Sequence, residues 1–257
     1  MRLFDNANSP YALKVRIALY EKGLEFEKHE LRFQRDREEL LRVNPRGEVP
    51  ALEDGGTVVY DSRIICEYLE DRYPTPPLVP ADPAARARCR TLEAVADTQI
   101  DPCMVVIALA KMFRPEVGTS HPEALQAAAD ALDKHYANLE RELGDRAYLV
   151  GDFSRADVAL APHLFFAAFM GYGVPERYPR LAAWMGRVGE RPSVKRASTE
   201  ALETFTRSQE ETGEAPLFDS QHLHWRGERI EWLVRVGLGP WLLEEIAAGR
   251  AFFSPVP

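Results

Sequence analysis

The chain has 257 residues, of which 46 % are hydrophobic and 28 % are charged, and this composition excludes a disordered protein. Its formal net charge of −8 argues against nucleic acid as the main partner, because no basic face is evident that could neutralise several phosphates. A small anionic ligand stays compatible with this charge, since local arginines can hold it.

Residues 1–80 are predicted to alternate short strands with helices. The strand patterns are "RLF", the weaker "LEFEKHEL", and the pair "VPAL" and "TVVY", which flank the turn sequence "EDGG" as in a hairpin. The helix patterns are "YALKVRIALYEK", "REELLRV" and "DSRIICEYLEDRY". The order β-α-β-α-β-β-α predicts a compact sheet with helices on its faces.

A proline-rich segment, "PTPPLVPADP" (residues 74–83), is predicted to be a linker. Strand signals end there, and two long helical patterns follow, "AARARCRTLEAVADTQIDPCMVVIALAKMF" and "EALQAAADALDKHYANLERELG". We therefore expect an α/β domain over residues 1–80, an all-α domain over 84–200 and a helical C-terminal extension over 201–257.

The segment "VGDFSRADVALAP" carries a helix start signal. Ser154 and Asp157 have the spacing of a capping box, and Phe153 and Val158 have that of a hydrophobic staple. This pattern favours a folding role over a catalytic one.

The extension is predicted to begin with a polar loop, "TRSQEETGEAP", and to continue as amphipathic helix over "GERIEWLVRVGLGPWLLEEIAAGRAFF". One side of this helix is predicted to be buried, and it comprises Ile230, Leu233, Val234, Leu238 and Leu242. Trp225, Trp232 and Trp241 also indicate packing. We expect residues 227–253 to pack over the helical domain or over a partner subunit.

Ser9 and Pro10 fit the N-cap and first-turn positions of the first helix. The hydroxyl of Ser9 either caps this helix only or also donates a hydrogen bond to the sulfur of a bound thiol. The positive end of the helix dipole would favour a thiolate at the same place. The residues alone leave both roles open.

Four segments in this order, "SPYALKVRIAL", "NPRGEVPAL", "YDSRIICEYLEDRYP" and "GDFSRADVALAP", resemble the soluble glutathione S-transferases, over residues 1 to about 200. The resemblance implies an α/β plus all-α fold, with a thioredoxin-like N-terminal domain followed by an all-helical C-terminal domain. It implies glutathione as co-substrate, no metal, and a small hydrophobic electrophile as second substrate. It also implies a homodimer without nucleic-acid or membrane partners, and the lack of a signal peptide in "MRLFDNANS" favours a cytoplasmic location.

The resemblance assigns Ser9 as the catalytic residue, with Asn8 and Tyr11 as alternative donors to the sulfur. It implies that Val49-Pro50 is a cis-proline segment whose backbone pairs with the cysteinyl part of glutathione. Asp61 and Ser62, at a helix start, would hold the γ-glutamyl end. The expected glutathione-binding residues are Asn8, Tyr11, Arg35, Val49, Pro50, Asp61 and Ser62.

Glu48 departs from the family pattern, because many relatives carry Lys or Gln there, close to the glycine carboxylate of glutathione. A carboxylate would repel that end unless a cation intervenes. Arg35 and Arg46 are the candidates for that cation, and both could equally be surface charges.

Apolar side chains of the helical domain are candidate walls of the electrophile pocket, and helical core is an equally good explanation for them. These residues are Met104, Ile107, Met112, Phe113, Phe165 and Phe169. Cys66 and Cys103 are predicted to be buried, and the absence of cysteine between residues 5 and 20 counts against disulfide-exchange chemistry. His222 and His224 have only a weak metal spacing, so no metal site is expected.

Two alternatives to simple conjugation stay open. The stretch "ANS" is similar to that of glutathione-dependent β-etherases, which keeps ether cleavage or dehalogenation possible. Glu48 and the aromatic extension keep open a non-catalytic interaction protein with this fold, similar to the stringent-starvation regulators.

Overall fold

A computed structural model describes residues 1–7, 9–31, 36–212 and 223–253. The N-terminal part contains the predicted order of elements. Its strands are β1 (Arg2–Asp5), β2 (Glu27–Glu30), β3 (Ala51–Asp54) and β4 (Thr57–Tyr60). Its helices are α1 (Pro10–Glu21), α2 (Arg37–Val43) and α3 (Ser62–Arg72).

The four strands form one sheet in the order β2-β1-β3-β4, in which β1 pairs parallel to β2 and antiparallel to β3. The weak second strand is therefore confirmed. The β3–β4 hairpin turns at Gly55 and Gly56, whose φ angles of 55° and 87° are those that a two-residue hairpin turn of this hand requires. The expected thioredoxin-like arrangement of the N-terminal domain is confirmed.

The remaining described elements are helical apart from one short strand pair. The helices are α4 (Pro83–Val95), α5 (Asp101–Ala108), α6 (Pro115–Ser120), α7 (Pro122–Leu143), α8 (Arg155–Phe169), α9 (Pro179–Gly189), α10 (Pro192–Thr212), α11 (Gly227–Arg235) and α12 (Gly239–Ala247). The strands β5 (Leu223–Trp225) and β6 (Ala251–Phe253) pair in parallel. No helix in the described ranges is long and apolar enough to cross a membrane.

The first long helical pattern is helical without a gap from Pro83 to Phe113, as predicted, but two of its turns are wider than those of an α-helix. Wide π-helical turns occupy Ala96–Ile100 and Leu109–Phe113, on either side of α5. The first of these turns precedes Pro102, which cannot donate the backbone hydrogen bond of a regular helix. The periodicity of the apolar residues does not reveal such a widened turn.

Asp157 ties together three segments of the helical domain. Its carboxylate accepts from the backbone N–H of Ser154 at 2.9 Å, which completes the predicted capping box. It also accepts from the backbone N–H of Leu149 at 3.1 Å and from the indole N–H of Trp184 at 2.7 Å. Asp157 and Trp184 are fully buried, so the predicted folding role is confirmed.

The start of the extension differs from the prediction. Helix α10 crosses residue 200 and continues to Thr212, because "TRSQEET" contains no glycine or proline before Gly213. The rest of the predicted polar loop lies outside the described residues.

The predicted single amphipathic helix of the extension is broken at Gly237, whose φ of 86° reverses the chain between α11 and α12. Leu233, Leu238 and Leu242 are buried as predicted, whereas Val234 is 60 % exposed. The break explains this error, since the chain beyond it does not follow the periodicity of one helix. Helix α11 packs against α5, so the extension covers the helical domain of its own chain.

Four charged residues meet where the two domains pack, and we call Lys14, Glu93, Asp97 and Arg155 the interdomain cluster. Lys14 Nζ lies 2.6 Å from an Asp97 carboxylate oxygen and 4.0 Å from one of Glu93. Arg155 Nη2 donates to Glu93 at 2.5 Å. Lys14, Glu93 and Arg155 are all but completely buried. This cluster joins α1 to α4 and α8 and fixes the first helix against the second domain.

Candidate active site

The loop between β1 and α1 is held from three directions. Arg16 forms an ion pair with Asp5 at 3.1 Å and donates to the backbone oxygen of Ala7 at 2.9 Å. The Glu30 carboxylate accepts from the backbone N–H of Ala7 at 2.7 Å. The backbone N–H of Ser9 donates to the oxygen of Asn6 at 3.0 Å. These contacts fix where α1 begins, and thus where the Ser9 hydroxyl lies.

Ser9 is the N-cap of α1, and Pro10 occupies the first turn, as predicted. The Ser9 Oγ accepts from the backbone N–H of Ala12 at 3.3 Å. An accepting hydroxyl keeps its own proton, so this cap leaves Ser9 able to donate to another group. Ser9 is 8 % exposed. Capping and donation to a ligand are therefore compatible at this position.

Tyr11 is buried, and its hydroxyl donates to the backbone oxygen of Asp97 at 3.1 Å. Burial and the nearby Asp101 carboxylate raise the pKa of Tyr11 well above its usual value. The Tyr11 ring meets the His163 ring edge to face, with centroids 5.5 Å apart. The guanidinium of Arg226 also lies over the Tyr11 ring, 4.5 Å from its centroid. The Tyr11 hydroxyl is thus engaged in an internal contact.

The turn "NPRGEVP" places Arg46, Glu48 and the proline segment. The Asn44 side chain donates to the backbone oxygen of Glu48 at 2.5 Å and accepts from the backbone N–H of Arg46 at 3.0 Å. The Val49-Pro50 peptide bond is cis, as the resemblance implied, and it leads directly into β3.

Asp61 and Ser62 lie at the start of α3. The Asp61 carboxylate caps the helix by accepting from the backbone N–H of Arg63 at 3.0 Å, and it pairs with Arg46 Nη1 at 3.3 Å. Asp61 has a φ of 72°, which is unusual for a residue other than glycine. Ser62 is buried beside it. Helix N-termini of this kind present N–H groups to an anion.

Glu48 is surrounded by arginines rather than isolated. Arg226 donates to both its oxygens, from Nε at 2.9 Å and from Nη2 at 3.0 Å. Arg46 Nη2 lies 3.0 Å from Glu48 Oε2. We call Arg46, Glu48, Asp61 and Arg226 the cavity cluster. Arg46 is thus the cation that was expected beside Glu48. Arg226 of the extension is a second cation beside it, which sequence reasoning missed.

A polar cavity of about 460 Å³ opens beside this cluster. It is lined by Arg46, Asp61, Ser62, Arg63, Asp97, Thr98, Arg226, Gly227, Glu228 and Ile230. Three arginines face three carboxylates in this lining, so the cavity offers partners to both signs of charge. Its volume falls within the range typical of small-molecule sites.

An apolar cavity of about 160 Å³ lies between the two domains. Its walls are Ala7, Pro10, Leu13, Met112, Pro162, Phe165, Phe166, Phe169, Ser198, Ala201, Leu202 and Phe205. Phe166 and Phe169 are stacked with centroids 6.4 Å apart, and Phe205 meets Phe169 edge to face. Four phenylalanine rings and a methionine thus make up five of the twelve lining residues.

The candidate walls named from the sequence separate into two groups. Phe165, Met112 and Phe169 line the apolar cavity. Met104, Ile107 and Phe113 are buried in the helical core and line neither of the two described cavities.

The first turn of α1 adjoins both cavities, although Ser9 itself lines neither of them. Ala7 and Pro10, which flank Ser9, line the apolar cavity, while Arg226, stacked on Tyr11, lines the polar one. Asn8, Arg35 and His222 lie outside the described residues. In the described part of the chain, no group of three or more His, Cys, Asp or Glu side chains could hold a metal ion.

Arg229 is a second residue of the extension that sequence reasoning missed. It donates to both carboxylate oxygens of Asp101, at 2.7 and 2.9 Å. Burial raises the pKa of Asp101, but the Arg229 guanidinium outweighs it and holds this pKa below its usual value. This ion pair anchors α11 on α5, directly after the segment that bears Arg226.

Comparison with known proteins agrees with this geometry. The family model described as the glutathione S-transferase N-terminal domain matches residues 3–77, and the model of the glutathione S-transferase C-terminal domain matches residues 122–187. The chain belongs to the glutathione S-transferase family.

Individual relatives are similar over about three quarters of the chain. A stringent starvation protein A homolog of Coxiella burnetii is 32 % identical over 203 residues, which cover 78 % of this chain and 92 % of the relative. A solved glutathione S-transferase from Rhodospirillum rubrum has a TM-score of 0.68 at 31 % identity, over 76 % of this chain and 90 % of the other. The solved β-etherase LigF from Sphingobium has a TM-score of 0.67 at 30 % identity, over 77 % and 98 %.

Proposed function

We propose that the protein is a glutathione transferase in which Ser9 stabilises the thiolate of glutathione for attack on a small hydrophobic electrophile. The observation that carries this proposal is the position of Ser9. Its helix turn borders a cavity lined by aromatic rings and, through the contact of Tyr11 with Arg226, adjoins a cavity with both signs of charge. Glutathione itself carries carboxylates and an ammonium group at its ends and a thiol at its centre.

The surroundings of Ser9 favour an anion. The thiol of free glutathione has a pKa near that of cysteine, about 8.5, so little thiolate is present at neutral pH. The N-terminus of α1 contributes partial positive charge, and the Ser9 hydroxyl retains a proton to donate. The Tyr11 hydroxyl donates to Asp97 instead, which favours Ser9 over Tyr11 as the donor to sulfur. Asn8 stays an alternative donor.

The binding contacts follow the charges of glutathione. The N-terminus of α3 at Ser62 suits the γ-glutamyl carboxylate, and Asp61 suits the ammonium group beside it. The backbone of Val49, before the cis-proline, pairs with the cysteinyl backbone. Arg35 is retained as a glutathione contact from the resemblance alone.

The apolar cavity is the proposed place of the electrophile. In the reaction the thiolate sulfur forms a bond to an electrophilic carbon, and the leaving group departs with the electron pair of the broken bond. Phe165, Phe166 and Phe169 suit a flat apolar substrate. Met104, Ile107 and Phe113 are buried in the core and line neither described cavity, so they are not part of the proposed wall.

Ser9→Ala is the direct test. We expect turnover with 1-chloro-2,4-dinitrobenzene to fall about 10- to 100-fold near neutral pH, the worth of one hydrogen bond to a charged group, while glutathione still binds. The pKa of the bound thiol should rise in the variant, so the deficit should be largest at low pH and shrink as the solution pH passes that pKa. Ultraviolet absorbance of the thiolate measures this titration directly.

Ser9→Thr is the matched control, since threonine keeps both the cap and the hydroxyl. It should retain most of the activity that Ser9→Ala loses. Unchanged conjugation kinetics of Ser9→Ala across about pH 6 to 9 would remove Ser9 from the mechanism.

Ether cleavage is a second candidate, favoured by the similarity to the β-etherase LigF. The same thiolate would attack the carbon that bears an aryloxy group, form the thioether and release the phenol. Release of phenol from a β-aryl ether, or of halide from a chlorinated substrate, separates these reactions from simple conjugation.

The similarity to a stringent starvation protein A homolog keeps a non-catalytic interaction protein as a further candidate. Calorimetric titration with glutathione decides against it if the protein binds glutathione tightly.

We also propose a homodimer, in line with the family, and Val58, Tyr60 and Ile64 are large apolar residues exposed near the β4 edge of the sheet. Sedimentation velocity gives the mass that tests this.

A cytoplasmic location is proposed as well, since Cys66, Cys89 and Cys103 are all free and buried. Fractionation of cells that express the protein checks it.

A further inference from the structure

The C-terminal extension lines the polar cavity with Arg226, Gly227, Glu228 and Ile230, and the arginine among them is fixed in place on two sides. One edge of the Arg226 guanidinium is held by Glu48 through Nε and Nη2, at 2.9 and 3.0 Å. Its face lies over the Tyr11 ring at 4.5 Å. The side chain is 19 % exposed and lines the polar cavity. Two contacts thus define both the plane and the rotation of this group.

The other edge of the same guanidinium is unused. A guanidinium has five N–H donors, of which Glu48 takes two. Within the part of the chain that the structure describes, Nη1 of Arg226 makes no hydrogen bond. Three donors therefore remain, and the edge formed by Nη1 and Nη2 matches the two oxygens of a carboxylate.

Two other cations near the cavity are committed to partners, and a third, Arg63, lines it without a hydrogen bond that orients its guanidinium in the described part of the chain. Arg46 is shared between Asp61 and Glu48, at 3.3 and 3.0 Å, and Lys14 is held by Asp97. Arg226 differs from them because it is oriented by Glu48 and still has a complete edge to offer. Such preorganisation lowers the entropic cost of binding an anion.

We propose that Arg226 binds a carboxylate of glutathione, so that the C-terminal extension supplies part of the glutathione site. This inference rests on the proposed glutathione transferase function. Glu48 is then the positioning residue that holds the guanidinium, which accounts for a buried carboxylate beside a site for an anionic peptide. Glutathione has two carboxylates, glycyl and γ-glutamyl, and the same chemistry serves either.

Calorimetric titration of the full chain and its variants tests this. We expect Arg226→Gln to weaken glutathione binding about tenfold or more, the loss of a bidentate charged contact. Arg226→Lys keeps the positive charge but not the paired N–H donors of a guanidinium. Its affinity for glutathione should lie between those of wild type and Arg226→Gln. Arg235→Gln is the matched control, because Arg235 ends the helix that begins directly after Arg226, is 68 % exposed and does not line the cavity. It should bind as wild type does.

Two analogues identify the carboxylate. The glycyl ethyl ester of glutathione lacks one charge, and γ-aminobutyryl-cysteinyl-glycine lacks the other. The analogue that lacks the carboxylate bound by Arg226 should bind equally well to wild type and to Arg226→Gln. The other analogue should lose affinity in the variant as glutathione does.

A double variant, Arg226→Gln with Glu48→Gln, separates ligand binding from the neutralisation of Glu48. In this variant no Glu48 carboxylate is left without its cation. Glutathione binding can therefore be measured on it even if Arg226→Gln alone fails to fold. Binding that stays weak in the double variant supports the inference. Binding restored to the wild-type level overturns it, as does an equal loss for glutathione and both analogues.

The remaining outcomes distinguish the inference from the function on which it rests. A wild-type chain that binds no glutathione overturns the proposed function and this inference with it. A wild-type chain that binds glutathione, with Arg226→Gln binding within about threefold of it, overturns the inference alone.

Discussion

The interdomain cluster and the cavity cluster are built from the same types of residue but differ in their access to water. Lys14, Glu93 and Arg155 are sealed between α1, α4 and α8. In the cavity cluster, the Arg46 and Arg226 side chains are 35 % and 19 % exposed beside a cavity of about 460 Å³. Asp97 of the interdomain cluster also lines this cavity, so a cavity alone does not indicate a binding site; the cavity cluster differs because its Arg226 keeps unused donors there.

This difference should appear in stability. A buried ion that loses its partner cannot be solvated, whereas a partly exposed one can. Removing one charge should therefore reduce the free energy of unfolding most in the interdomain cluster, less in the cavity cluster and least in the exposed pair of Arg235 and Glu231.

Lys14→Met is expected to have the largest effect. It takes the cation away from Asp97 and leaves the completely buried Glu93 with Arg155 alone, so it should reduce the free energy of unfolding by about 3–5 kcal/mol. Urea denaturation measures this loss. A second change, Glu93→Gln, removes a buried charge that Lys14 no longer balances and should recover part of it. A loss below that of Glu48→Gln would contradict the comparison.

The loss in Lys14→Met should also depend on pH. Burial raises the pKa of Glu93 above its usual value, so the folded state binds this proton more tightly than the unfolded chain does. The stability that this proton contributes is present at low pH and is lost as the pH rises through the folded-state pKa. The destabilisation should therefore be smaller near pH 5 than near pH 8, as denaturation at about these two values would detect.

Glu48→Gln is expected to have an intermediate effect. It leaves Arg226 without its carboxylate and Arg46 with Asp61 alone, but water can reach both guanidinium groups. The free energy of unfolding should fall by about 1 kcal/mol in the same urea assay. A loss as large as that of Lys14→Met would show that the cavity cluster is as sealed as the interdomain one.

Arg235→Gln should change stability the least. The pair between Arg235 and Glu231 spans 3.8 Å, with side chains 68 % and 74 % exposed. Water and salt compensate such a pair, so the change should stay within about 0.5 kcal/mol. A larger loss would mean that exposure does not set the cost in this chain.

The N-terminal domain could be predicted almost element by element, because its signals are local. Gly55 and Gly56 define a hairpin turn, and Asp61 defines a helix start, without reference to distant residues. The capping box of Ser154 and Asp157 is local in the same sense. Where the chain carries its own turn or cap chemistry, sequence reasoning succeeded.

The helical domain shows what periodicity cannot resolve. Almost every side of α5 is buried, so its hydrophobic pattern did not show that Ile107 belongs to the core and not to a cavity wall. Phe165 on α8 is equally apolar but lines the apolar cavity. The break at Gly237 had the same effect on Val234, since a single helix was assumed there. Packing between helices decides these assignments, and one helix does not contain that information.

Arg226 was not predictable at all. It meets Glu48 across 178 positions of sequence, and the extension has no counterpart among the motifs that carried the resemblance. The sequence did show that Glu48 needs a cation, and Arg46 met that need in part. It could not show that a second cation comes from the other end of the chain.

The pairing of Glu48 with Arg226 has a consequence for biosynthesis. The sheet, the helical core and the residues around Ser9 all lie before residue 213, so a ribosome has completed them before it reaches Arg226. At about 5–20 residues per second, the polar cavity waits roughly 10–40 s for its last wall after Glu48 is made. A chain released before residue 226 would lack this wall of the cavity.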